Sequence, residues 1–136
     1  MTATAGPVTF DEATRELLDG KSFATIATLN PDGAPQTSVV WIDREGGTVV
    51  FSATRKRQKV RNLARDPRVS LTVFDPANPY QSVEIRGTAE LIDDPRKTLP
   101  HRLSHKYLGQ DPMPEPDEIQ RVIVKVTPHK VNSFVA

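Results

Sequence analysis

From Ser82 onward the chain alternates without a slip: Val83, Ile85, Gly87, Ala89 and Leu91 share one face, and Ser82, Glu84, Arg86, Thr88 and Glu90 the other. A strict period of two does not sit on a helix, where apolar positions recur every three or four residues. It defines a half-buried strand, one face in a core and one in water. Whatever else the chain does, it builds a sheet.

Other segments fit the same sheet. Residues 22–29 read as a strand, Asn30-Pro31-Asp32-Gly33 as a turn and 35–43 as a second strand; Glu45-Gly46-Gly47 then turns the chain into a third over 48–53. The loops have hairpin length, so these three strands are expected to be antiparallel neighbours. Residues 69–74 read as a fourth strand, Asp75-Pro76-Ala77-Asn78-Pro79 as an irregular loop, and 121–127 and 131–135, parted by Pro128, as the end of the sheet. All twelve prolines are expected at turns, element starts or loops, where a missing N–H breaks no ladder.

Helices are expected at three places. The first spans 10–19, with Thr9 and Glu12 as a capping box and Gly20 as the stop. The second, polar, spans 55–65 and closes at Asp66-Pro67; the third spans 94–108, with Pro100 as a break or a new start. Residues 109–116 carry three prolines and read as irregular. Six or seven strands joined mostly by hairpins, with short helices inserted, indicate a mainly β fold: one closed or nearly closed antiparallel barrel. Segments such as Phe23-Ala24-Thr25-Ile26-Ala27 are apolar on both faces. One face fills the barrel, so the other needs cover from helices or from a second subunit, and a homodimer is expected.

At 136 residues the chain is the size of one domain and can bury a sufficient core without metal or disulfide. It has no cysteine, which removes disulfides, thiolate catalysis and Cys-based metal sites. Met1–Pro7 lacks the basic start and apolar run of a secretory signal, and no stretch approaches the ~18 apolar residues of a membrane helix. A cytoplasmic protein without membrane contact is the expectation.

Side-chain catalysis has few candidates. His101 and His105 have the i,i+4 spacing of metal ligands on a helix, yet Arg102 stands where a zinc protease needs Glu, and no third ligand is evident. They read as two histidines on a partly exposed helix, and no metal site is expected. Ser104 and His105 are adjacent and so point apart on a helix. The acidic pairs, Asp93-Asp94 among them, sit where they cap helices.

The segment from Ser52 to Leu63 stands out, with five cations between Arg55 and Arg61 at the passage from a strand into a helix. Cations in a first helical turn oppose the macrodipole at roughly 0.3–1 kcal/mol each, an arrangement that makes sense where an anion binds. Ser52, Thr54 and Lys59 would then converge on a phosphate. The plainer reading is a solvated amphipathic helix, with Val60, Leu63 and Ala64 as its buried stripe and Gln58, Arg61 and Arg65 on its wet face. On helical spacing Lys59 flanks the stripe and Arg61 points away from it. Nucleic acid is not an expected partner, because net charge is +1, aromatics make up 6% and no reading motif is present.

The order of these pieces resembles a known family. Helix, strand, Asn-Pro-Asp-Gly turn, Pro-Gln-Thr-Ser-Val-Val-Trp strand, Val-Phe-Ser-Ala-Thr strand and a Lys/Arg helix ending Asp-Pro-Arg-Val-Ser-Leu is similar to the pyridoxamine 5'-phosphate oxidase-like FMN-binding split barrels. Asp75 to Tyr80 with Val83-Glu84-Ile85-Arg86-Gly87, residues 106–112 and residues 121–128 resemble its F420-dependent, flavin/deazaflavin oxidoreductase class.

That resemblance implies a homodimer with two cofactors in grooves between subunits. The ring system would lie against Gln36, Thr37, Ser38, Val39, Val40 and Trp41. Its phosphate side would be held by Ser52, Ala53, Thr54, Arg57, Gln58 and Lys59, while Asn78, Tyr80 and Gln81 would come from the partner's side. Trp41 could instead be interface packing, and Gly87 a barrel bend rather than a close approach to ligand. Relatives often carry an aromatic in place of Met113 and a basic residue in place of Gln81. The implied activity is hydride transfer from reduced coenzyme F420 to a small electron-poor conjugated substrate. FMN in the same groove, or a non-catalytic binder of cofactor or ligand, are the alternatives.

Overall fold

The computed structural model describes residues 8–135, so Met1–Pro7, read above as lacking a secretory start, lies outside the described residues. In chain order the elements are α1 (Glu12–Asp19), β1 (Phe23–Leu29), β2 (Pro35–Trp41), β3 (Asp43–Glu45), β4 (Thr48–Thr54), α2 (Gln58–Arg65), β5 (Arg68–Asp75), β6 (Asn78–Asp93), α3 (Thr98–Leu108) and β7 (Arg121–Val135). The seven strands form one sheet in the order β2-β1-β5-β6-β7-β4-β3, and every pairing is antiparallel.

The two strands at the ends of that order, β2 and β3, are consecutive in the chain with Ile42 alone between them. The segment therefore leaves one edge of the sheet and joins the other, which curls the sheet into a split barrel. Here one expectation is corrected. The first two strands do pair, Phe23 to Leu29 against Trp41 to Pro35, but β4 pairs with β3 and β7 rather than β2. The hairpin at Gly46 folds only the three residues of β3 onto β4, because barrel closure has already claimed β2 for the opposite edge.

The long strands also depart from expectation. Asn78 and Pro79 lie within β6, since Pro76-Ala77 alone forms the turn and Asp75 pairs with Asn78. Pairing of β6 with β7 begins only at Gln81, so Pro79 owes that ladder no N–H. Pro128 does not divide β7, which runs unbroken from Arg121 to Val135; the proline sits opposite Gly87 at the register shift after Arg86. Pro100 is the third residue of α3, in the first turn, where an N–H has no intrahelical acceptor anyway.

Gly87 is a packing requirement. A Cβ there would stand 2.1 Å from the Thr127 carbonyl oxygen of the neighbouring strand, so the residue is a barrel bend and a backbone close approach. The period-two face behaves as read: Val83 and Ile85 are buried in the barrel with Ile26, Leu71, Val73 and Val124.

Helices cover the openings. The cap of α1 is Asp11, whose carboxylate accepts from the Thr14 amide at 2.8 Å, so Thr9 and Glu12 form no capping box. Leu17, Leu18 and Phe10 join the barrel core. Of the stripe expected on α2, Val60 and Leu63 are buried, but Ala64 is exposed and Asn62 takes its place. That amide is buried at no polar cost, because Nδ2 donates to Thr28 Oγ1 (3.0 Å) and Asn30 Oδ1 (2.9 Å), and Oδ1 accepts from Gln58 (2.7 Å). On the outside of the barrel, α3 lays Leu99, Leu103 and Tyr107 over Val50, Trp41 and Ile123. The buried Asp94 carboxylate accepts from the Thr98 and Leu99 amides and starts that helix.

Candidate functional site

Where α3 lies over β4, a groove of about 430 Å³ opens beside it. Its floor is Val39, Val40 and Trp41 from the end of β2 and Ser52, Ala53 and Thr54 from the end of β4. These strand ends meet because closure at Ile42 brings the two edges together. Trp41 is held by Tyr107, the rings stacked at 4.9 Å and 6°. The Tyr107 hydroxyl donates to Ser22 O at 2.6 Å and accepts from the Ile42 amide at 3.1 Å. A flat aromatic floor is thus fixed from behind.

One end of the groove is cationic and polar. Lys59, in the first turn of α2, reaches into it, and its Nζ donates to Ser38 Oγ at 3.1 Å. Burial pushes the Lys59 ammonium below the ordinary lysine range, and the Arg57 charge pushes it the same way. No side chain caps α2, whose preceding residue Arg57 also lines the groove. The first amides of such a helix lack intrahelical acceptors and carry the positive end of its dipole.

On the same groove, Ser52 Oγ is the one buried side-chain polar atom without a hydrogen-bond partner among the described residues. An unpaired buried hydroxyl costs about 1–3 kcal/mol, and Ser52 is one of the residues that line the groove. A positive helix start, a half-buried lysine and an orphaned hydroxyl together fit the anionic part of a ligand.

The cations themselves are placed differently from the sequence reading. The helix starts at Gln58, so Arg55, Lys56 and Arg57 lie in the turn before it. Arg55 pairs with Asp93, and Arg61 Nη2 donates to Gln58 Oε1 at 2.6 Å on the outer face.

Eight of the expected residues line the groove together: Val39, Val40, Trp41, Ser52, Ala53, Thr54, Arg57 and Lys59. Ser38 touches it through Lys59. Gln36 and Thr37 lie farther back on β2, where Gln36 Oε1 accepts from Thr28 and its Nε2 donates to Thr37 O. Gln58 is turned to Asn62. Asn78, Tyr80 and Gln81 lie on the β5–β6 hairpin, away from this chain's groove.

The other wall holds Met113, already marked as a departure from relatives, and six residues that the sequence reading misses: Pro100, Leu103, Ser104 and Leu108 of α3, then Pro112 and Arg121. For those six the only signal is the resemblance of residues 106–112 and 121–128, which marks segments and not side chains. Arg121 is engaged by Glu115 through two contacts of 3.0 Å. Beyond this wall Asp111 lies with His101 and His105, the three side chains exposed and their donor atoms within 4.8 Å of one another, a neighbour that the spacing of the two histidines does not show.

Fold and groove together define a split β-barrel with an aromatic-floored, anion-ready cleft at its seam. The profile of the pyridoxamine 5'-phosphate oxidase family matches residues 10–134, and the chain belongs to that family. Among solved structures it is similar to an F420 reductase, at 35% identity and a TM-score of 0.82 over 90% of this chain and 98% of that one. It is also similar to a conserved hypothetical protein of Mycobacterium tuberculosis, at 26% identity and a TM-score of 0.75 over 98% and 90%. A curated relative, the pyridoxine/pyridoxamine 5'-phosphate oxidase of Kineococcus radiotolerans, is 34% identical over 68 residues, half of this chain and 30% of that protein's length. No helix among the described residues is long and apolar enough to cross a membrane.

Proposed function

We propose that this member of the family is an F420-dependent oxidoreductase acting on a small, electron-poor conjugated substrate. The observation that carries the reading is a single groove lined by Trp41, by Arg57 and Lys59 at the uncapped start of α2, and by Ser52, whose buried hydroxyl has no partner. The similarity to an F420 reductase over nearly its whole length supports deazaflavin as the occupant. The reduced cofactor, when bound, supplies the hydride.

The chain's own residues bind and orient. Ser52, Lys59 and the α2 amides would hold the phosphate, and Val39 and Trp41 would support the ring from below. Leu103, Leu108 and Pro112 line the other wall and would face the bound ligand. No side chain in the groove is assigned as proton donor, which suits chemistry carried by the cofactor.

The protein would work as a homodimer. Val39, Tyr80 and Phe134 stand 66%, 71% and 58% exposed, large apolar side chains that a second copy would cover. In that assembly Asn78, Tyr80 and Gln81 would complete the partner's groove. Light scattering across a dilution series should give twice the 15.1 kDa chain mass; a monomer that still binds cofactor would remove the shared groove.

Fluorescence titration with F420 and with FMN at one salt concentration tests the cofactor. F420 should bind more tightly. Tighter FMN binding, or FMN retained through purification, would move the assignment to a flavin-dependent reductase or oxidase in the same groove.

A further inference from the structure

A second cluster lies outside the groove, on the exposed side of α3. His101 and His105 are one helical turn apart, with ring centroids 4.5 Å from each other. At Gly109 the backbone takes a left-handed conformation (φ 70°) that ends the helix and turns the chain back. Ser104 Oγ then donates to the Gln110 carbonyl at 2.6 Å and fixes the returning loop. The result sets Asp111 against the last two turns of the helix. Its Oδ1 stands 2.6 Å from His105 Nε2 and 3.7 Å from His101 Nε2.

We propose that His101, His105 and Asp111 form a binding site for a first-row divalent transition ion, of which zinc is the expected occupant. The three donor atoms lie within 4.8 Å of one another. Two ligands about 2.1 Å from a tetrahedral ion stand about 3.4 Å apart, a separation bracketed by the two contacts just given. Two imidazoles and one carboxylate suit zinc, nickel or copper and not the hard calcium and magnesium ions, which take oxygen ligands. All three side chains are exposed, so water can complete the coordination, and small rotations close the remaining gap without disturbing a core.

The site is built rather than incidental in two respects. The helix presents both histidines on one face, and a glycine turn and a buried-hydroxyl clamp bring in the carboxylate from a separate segment. An ion there would tie the loop to α3 immediately before Pro112 and Met113, which wall the groove. The proposal is independent of which cofactor that groove takes.

Calorimetric titration of the intact protein with zinc chloride tests it, alongside His101→Ala, His105→Ala, Asp111→Asn and, as a control, His129→Ala. One zinc should bind per chain. Loss of a direct ligand should weaken binding about tenfold or more, the lower end of what losing an outer-sphere partner costs, while His129→Ala binds as the parent does. Cobalt should give visible d–d absorption in the parent that is lost in His105→Ala, and excess magnesium should not displace either ion. All variants are on the surface and should melt like the parent in the absence of metal. No saturable binding, binding unchanged in His105→Ala, loss in His129→Ala, or one ion shared between two chains would each overturn the site.

Discussion

Lys59 is held between two influences. Burial and the Arg57 charge disfavour its ammonium, and a bound anion would restore it. A charge-assisted hydrogen bond contributes about 1.5–3 kcal/mol, so Lys59→Ala should weaken cofactor binding about ten- to a hundredfold, at ~1.4 kcal/mol per factor of ten. Arg61, turned outward to Gln58, should cost little when changed to Ala, because exposed charges are screened over a Debye length of ~8 Å. Fluorescence titration of both variants, each first shown to melt like the parent, separates a specific site from a diffuse basic surface. The pH dependence has a definite sign. The ligand prefers the protonated lysine, so affinity is complete below the free protein's Lys59 pKa and falls as pH rises through it. Because that pKa is depressed, the fall should begin at lower pH than the ordinary lysine value of 10.5 would give, and Lys59→Ala should abolish this part of the profile.

At the scale of elements, the most demanding contact is the crossing of β6 and β7 at Gly87. Gly87→Ala would drive a methyl group into the Thr127 carbonyl at 2.1 Å, and backbone has to move to relieve it. A destabilisation of about 1–3 kcal/mol or more is expected from such overpacking, read as a lowered midpoint in denaturant with an unchanged slope. Most elements were legible because their signals are local. Alternation from Val83 to Leu91, the Asn30–Gly33 turn and the apolar spacing of α1 each need only near neighbours. The misreadings share the opposite property. Whether β4 lies beside β2 depends on where the far edge of the sheet ends up, and no residue in 35–54 encodes that alone. Asn62 reads as polar surface until Thr28 and Asn30 are brought to it from another strand. Pro79 and Pro128 read as breaks because proline forbids a ladder bond only on the side where one is needed. The site divides the same way: the strand ends and Lys59 carried a local signature, whereas the α3 wall consists of Leu, Pro and Ser side chains that acquire a role only by facing the groove.

For the whole molecule, the sheet is long in sequence separation and short in connections. β6 and β7, the two longest strands, lie at its centre and pair from Gln81 to Asp93, while the least local pairing lies beside them, β4 against β7 from Val49–Val126 to Thr54–Arg121. The thinnest place is elsewhere. Only Ile42 separates the two edges, and it is gripped from α3: Tyr107 receives its amide, and Lys106 Nζ donates to its carbonyl at 2.7 Å and to Leu18 O at 2.8 Å. Burial holds the Lys106 ammonium below its usual range, with the Asp43 charge opposing that shift.

The helix that fastens this junction is also the helix that walls the groove. Filling the groove therefore loads the same fastening, and an occupant that requires α3 in place is bound only by the closed barrel. Mass action then makes occupancy and folding one equilibrium: each tenfold rise in free ligand above its dissociation constant adds about 1.4 kcal/mol to the stability of the whole domain. The barrel closes without an occupant, but such an occupant is lost whenever the clasp opens.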